Sequence, residues 1–292
     1  MKNRYLIFLL FLMSGCITDG NDGSPEDFKI VNQGEVVLDL SDIDYYDFST
    51  HIVYLNENNR LAGDYDKLQG ANILVNGFEI YPLKIHELYL STIPTGPHIK
   101  RLIDSFGDFA FRISFGDFQS GSGSSIQDPR SDPRIVSVLK QHNKYRVGLS
   151  IVTESISRQG NEIKFRFKLR NHDNQNYYFL DPNKMGEGLF HYFTNGLGFF
   201  DPNLGYQQNK IPHEQPESQL HWTLDWMSVI KGKETKSFEF TYPFENVPTG
   251  RDLKFLFSFP SPELSISDKS ELDQQNGRIW LGNVSIDLTK RF

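Results

Sequence analysis

One thiol, eight imidazoles and a scatter of carboxylates are the groups in this 292-residue chain that could do chemistry, and their spacing limits what each can do. The only cysteine, Cys16, follows Ser14 and Gly15 at the end of an apolar run from Tyr5 to Met13. With no second cysteine no intramolecular disulfide can form, so Cys16 is either a point of covalent attachment or an ordinary unpaired thiol. No two histidines stand two or four residues apart, the spacings that put paired ligands on one face of a strand or helix, so a metal site would have to be gathered from distant segments. GSGSS at 121–125 resembles a G-x-S-x-G nucleophile elbow only loosely, without the strand-then-helix context such an elbow needs. Asp181 and Asp201 each open an Asp-Pro-Asn triplet and could bind calcium in paired turns. Between them lies an aromatic-rich stretch, residues 177–203. It could present Tyr192, Phe193, Phe199 and Phe200 to a partner, or bury them as core under a long inter-strand loop. No motif implies a cofactor.

The chain start explains the position of the thiol. Lys2 and Arg4, then the apolar run, then Ser14 and Gly15 have the three-part form of a secretory signal, residues 1–15, too short to cross about 30 Å of hydrocarbon as a stable helix. Leu12-Met13-Ser14-Gly15-Cys16 resembles the lipobox of bacterial lipoproteins. That resemblance implies cleavage before Cys16, a diacylglycerol on its sulfur and a third acyl chain on the new amino terminus, enough to make desorption negligible. It also implies a cell-envelope protein held to a membrane through its N-terminal lipid. Ile17 after the cysteine, in place of Asp, points to the outer membrane, on its periplasmic or surface face. Residues 16–27, rich in Gly, Asp and Asn, read as a flexible tether.

Removal of residues 1–15 leaves 277 residues and takes the formal net charge from −7 to −9. An acidic body of this kind argues against nucleic acid as a partner. The 24 Phe and 13 Tyr mark a globular, aromatic-rich chain that must be stabilised by its core.

The elements are short and strand-like. Glu35 to Leu40, His51 to Leu55 and residues 73–80 are candidates in a β-rich region over 28–127, and Asn76-Gly77 between apolar arms predicts a tight hairpin. SFGDF occurs at 105–109 and 114–118 and reads as a strand between similar turns. A loop and linking helix occupy 128–146, with Asp132 as cap, Pro133 in the first turn and Ile135, Val136, Val138 and Leu139 on one face. In the 147–292 half, Ile163, Phe165, Phe167 and Leu169 alternate with Lys164, Arg166, Lys168 and Arg170, a strand with one dry face. Segments 220–226, 236–242, 253–259 and 279–288 read as further strands.

Such a run of strands predicts an antiparallel β-sandwich. The strand ending at Arg170-Asn171, Lys231-Gly232-Lys233-Glu234 before a Phe-rich strand, and Pro248-Thr249-Gly250 before the next resemble the immunoglobulin-like modules of exported bacterial proteins. The expected fold is mainly β, with an immunoglobulin-like C-terminal half. The expected role is a non-enzymatic binding or scaffolding module whose partner is an envelope protein or a glycan. The alternative is an exported hydrolase or carbohydrate-active protein with 177–203 as one wall of its site.

Overall fold

The computed structural model describes residues 27–57, 61, 64–87, 89–92, 94–101, 103–116, 127–216, 223–262, 266 and 268–292. The export signal, Cys16, nearly all of the tether, the GSGSS segment and Trp222 lie outside the described residues.

The protein is mainly β. The alternating segment at 162–171 forms the strand Glu162–Asn171, with Ile163, Phe165, Phe167 and Leu169 fully buried. It is the middle of an antiparallel sheet between Leu149–Gln159 and Thr235–Pro243. A second sheet runs in the order Gly205–Gln208, Gly198–Asp201, Asp252–Phe259, Val284–Arg291. Counting these strands along the chain, the first, second and fifth make one sheet and the other four the second, the strand order of an immunoglobulin-like sandwich. The layers meet through phenylalanines: Phe257 lies 5.2 Å from Phe165 and 5.1 Å from Phe167, which stacks on Phe238 at 5.3 Å. Tilted and offset ring pairs at these distances add attraction beyond the area they bury.

The 177–203 stretch is not a long loop. It folds as a strand Tyr177–Leu180, a short helix α2 (Pro182–Met185), a helix α3 (Glu187–Thr194) and the strand Gly198–Asp201. Local chemistry sets these boundaries: Asp181 caps α2 by accepting the N–H of Asn183, Pro182 sits in its first turn, and Asn195 in the left-handed region ends α3. Burial then fixes α3, because Phe190 packs 5.7 Å from Phe240 and 5.9 Å from Phe259.

Two expected strands are also redrawn. Leu224–Trp226 is a single 3-10 turn capped by Thr223, and the strand that follows is Met227–Ile230. The 279–288 segment is split into Gly277–Ile279 and Val284–Arg291, with Trp280 and Leu281 fully buried in the break. Tyr177–Leu180 joins Met227–Ile230, Gly277–Ile279 and Asp273–Gln274 in a third sheet.

The first half is three small sheets. Asn76 and Gly77 turn the hairpin between Asn72–Val75 and Phe78–Pro82 with φ of +53° and +77°. The expected helix forms as α1 (Pro133–Gln141), capped by Asp132, but it does more than link: Ile135, Val138 and Leu139 are buried in one cluster with Phe28, Ile30 and Ile73. Tyr145–Arg146 then pairs in parallel with Tyr46–Asp47. Tyr45, Ile52, Tyr54, Phe106, Phe109 and Ala110 belong to the core cluster of the sandwich, so the two halves share buried surface.

Phe167 touches both layers, so Phe167→Ala is expected to cost about 3–5 kcal/mol, read as a lower urea midpoint.

Candidate functional site

The junction between the halves is built on a buried carboxylate. Asp47, at the end of the strand Ile43–Asp47, is 0% exposed. Its Oδ1 accepts the backbone N–H of Ser49 at 2.9 Å and the Ser49 hydroxyl at 2.5 Å, and its Oδ2 accepts the indole N–H of Trp280 at 2.9 Å. Asp47-Phe48-Ser49 is thus a side-chain-closed turn whose free oxygen holds a tryptophan from the far end of the chain.

Around this bond the halves interlock. Arg278 donates to Asp44 at 2.8 Å, pairs with Asp273 at 2.5 Å and lies 4.8 Å over the Tyr45 ring, which stacks on Tyr54 at 4.3 Å. Burial alone would raise the Asp44 carboxyl, but Arg278 and Lys269 beside it hold it below its ordinary value. Arg112 donates to the Leu281 carbonyl at 3.0 Å. On the sandwich side Asp173 accepts the N–H groups of Val147 and Gly148 at 3.0 and 2.9 Å and the Tyr177 hydroxyl at 2.7 Å. The connection at 147–148 is therefore held by Asp173, with Asp47 directly against Gly148.

Above this node opens a cleft of about 410 Å³. Its aromatic wall is Phe48 and Tyr145, whose rings are 4.9 Å apart and tilted by 40°. Ser49, Ser150, Asn283 and Ser285 supply its polar lining. The Ser150 hydroxyl is 2.6 Å from Nε2 of His172, and Ser285 shares a 3.0 Å hydrogen bond with Ser258. Burial, helped by Arg170 and Lys233, holds the His172 imidazole below its ordinary value, which favours the neutral ring. Size, aromatic wall and a few converging polar groups are the features of a small-molecule site. A smaller cavity of about 180 Å³, near Leu224, Met227 and Ile279, draws all its lining from residues after 222.

The residues singled out in the sequence lie elsewhere. Phe199 is fully buried between Phe244 at 4.9 Å and Phe255 at 5.5 Å. Tyr192 and Phe193 are half-buried on α3, with Phe193 6.2 Å from Trp226. Phe200 is 46% exposed on the outer sheet face opposite Tyr206, whose ring crosses the space a Cβ on Gly198 would need. Asp181 caps α2, while Asp201 accepts the N–H groups of Asn203 and Leu204 and pairs with Arg251 at 3.3 Å. Among the described residues no group of three His, Cys, Asp or Glu side chains is placed to hold a metal. The cleft residues went unread because they are ordinary serines, an asparagine and two aromatics at four separate places. The Asp47-x-Ser49 turn was the one local signal.

No family model matches the chain, and no curated protein matches it.

Two outcomes follow from this geometry. Gly148 has φ of +72°, and a Cβ there would come 2.4 Å from Asp47 Oδ1 and from Ser49 Oγ. Gly148→Ala is expected to destabilise the fold by more than about 1 kcal/mol, measured by thermal unfolding. Burial pushes the Asp47 carboxyl from 3.8 up to about 6, against the hydrogen bonds from Ser49 and Trp280 and with a contribution from Asp173. The proton it binds stabilises the fold at low pH, and that stabilisation is lost as pH rises through about 6. His51, pushed down to about 4 by burial and by Arg130, acts in the opposite sense, so Asp47 must be read as a difference between variants. The cost of Asp47→Asn in urea unfolding is expected to be about 1 kcal/mol smaller at pH 7.5 than at pH 5.

Proposed function

We propose that this is a lipid-anchored binding module of the bacterial cell envelope, tethered to the outer membrane through Cys16, with the junction cleft as its ligand site. The cleft carries the reading: an aromatic wall and converging polar side chains from both halves, set on a buried node that fixes their positions before any ligand arrives. The sequence at Cys16 supports the location. In this reading membrane attachment rests on the acyl chains at Cys16; among the described residues no helix is long and apolar enough to cross a membrane. A module on a tether needs a rigid site more than a moving one, and the cleft walls stand on strands and on one side-chain-closed turn.

A second reading has its own observation. The hydroxyl of Ser150, which lines the cleft, is within hydrogen-bond reach of His172 Nε2, the first requirement of an exported hydrolase with a serine nucleophile. A fluorophosphonate probe that labels Ser150 in the wild type, and fails to do so in His172→Gln, would favour hydrolysis over binding.

Metabolic labelling with palmitate followed by membrane fractionation tests the anchor. The wild type is expected to carry label and to pellet with membranes, whereas Cys16→Ser loses the label and stays in the soluble fraction. Pelleting of the unlabelled variant to the wild-type extent would remove the anchor from the reading.

A further inference from the structure

The hydrogen-bond polarity of the cleft narrows its ligand, on the reading that the cleft is a binding site. A serine hydroxyl has one proton to donate and two lone pairs with which to accept. The ionised Asp47 can only accept, so at 2.5 Å the proton between them is the one that Ser49 donates. Ser49 is then left with lone pairs alone for anything bound above it. Its neighbours on the wall are the rings of Phe48 and Tyr145, apolar surface that suits the C–H groups of a ring. Ser150, Asn283 and Ser285 can each donate or accept, so Ser49 is the polar group of the lining that is fixed as an acceptor, and a ligand matching it and the rings combines an apolar ring face with an outward O–H donor.

We propose that Asp47, acting through Ser49, makes the cleft select a neutral sugar unit of an envelope glycan by its hydroxyl donors. Asp47 is a positioning residue: it lies beneath Ser49 and does not itself line the cleft. The charged groups facing it are Asp173 from the turn after Glu162–Asn171 and Arg112 from Ala110–Arg112. The phenols of Tyr45, Tyr54, Tyr145 and Tyr177 complete its surroundings and stay neutral, their ionisation pushed up by burial. Protonation of Asp47 would let its own O–H donate to Ser49 and release the serine proton toward the ligand, so the preference for donors should weaken in acid.

Calorimetric titration of the full mature chain in a sugar-free zwitterionic detergent tests this with two probes, N,N′-diacetylchitobiose and its per-O-methyl derivative. At pH 7.5 the wild type is expected to bind the free sugar at least about tenfold more tightly than the methylated one, the scale of one or two hydrogen bonds. That ratio should shrink at pH 5. Ser49→Ala should bind the free sugar about tenfold more weakly, with a ratio near one at both pH values. Equal binding of the two sugars by the wild type, or a ratio that Ser49→Ala leaves intact, would overturn the donor rule while leaving the cleft a sugar site. Binding of neither sugar, or binding that Tyr145→Ala does not weaken, would overturn the sugar assignment, and with it the donor rule, without touching the palmitate result.

Discussion

A carboxylate with no access to water, bonded to an indole 233 residues further along the chain, sets the terms for the rest of the molecule. An unpaired charge in such a place would cost several kcal/mol, so the surrounding chain has to supply donors in fixed positions. Ser49 gives two and Trp280 one. Each donor in turn constrains its own segment: Ser49 shapes the turn that starts the cleft, and Trp280 holds the break between Gly277–Ile279 and Val284–Arg291 against the first half. The same low dielectric that makes the charge expensive strengthens each of these bonds, so the node is rigid for the reason that it is costly. Arg278 extends it by pairing with carboxylates on both sides while covering the stacked Tyr45 and Tyr54.

The sandwich has a core of a different kind. Its interior is aromatic, with Phe165, Phe167, Phe238, Phe257 and Phe259 forming one contiguous group of rings, and its outer face carries paired charges such as Lys164 with Glu239 at 2.6 Å. What the node adds is a fixed relation between that sandwich and the first half. Apolar burial is non-directional and would tolerate several docking angles. The directional bonds of Trp280 to Asp47, of Arg278 to Asp44 and of Arg112 to the Leu281 carbonyl select one of them.

Period two was legible wherever one face of a strand was dry, which is why Glu162–Asn171, Thr235–Pro243 and Asp252–Phe259 could be read directly. The Asn76-Gly77 turn and the Asp132 cap were equally plain because their chemistry is local. The helices α2 and α3 were missed because Gly186, Gly188 and the flanking Asp-Pro-Asn triplets are turn-formers by composition. The packing of Phe190 on Phe240 and Phe259 completes what the local caps begin, and packing between distant segments leaves no trace in a local pattern. Trp280 was hidden for the same reason, since its partner Asp47 stands in the opposite half. The cleft was least legible of all: its polar groups are Ser49, Ser150, Asn283 and Ser285, types that in isolation signal nothing beyond a wet surface.

Why a polar cleft, and not dry core, occupies this position follows from the topology. Among the described residues the strands Leu149–Gln159 and Val284–Arg291 are each the outer strand of their sheet and pair with a neighbour on one side only. Their heads, at 149–151 and 283–285, both line the cleft. Backbone N–H and C=O groups on a free edge must be met by water, by another strand or by a ligand, and a dry apolar plug would leave them unsatisfied. The Phe48–Ser49 turn meets this seam from the first half, so the cleft is lined on one side by Ser150, Asn283 and Ser285 and on the other by Phe48 and Tyr145. An amphipathic cavity at this point is thus a consequence of docking a turn, held by Asp47, onto the open seam of a sandwich.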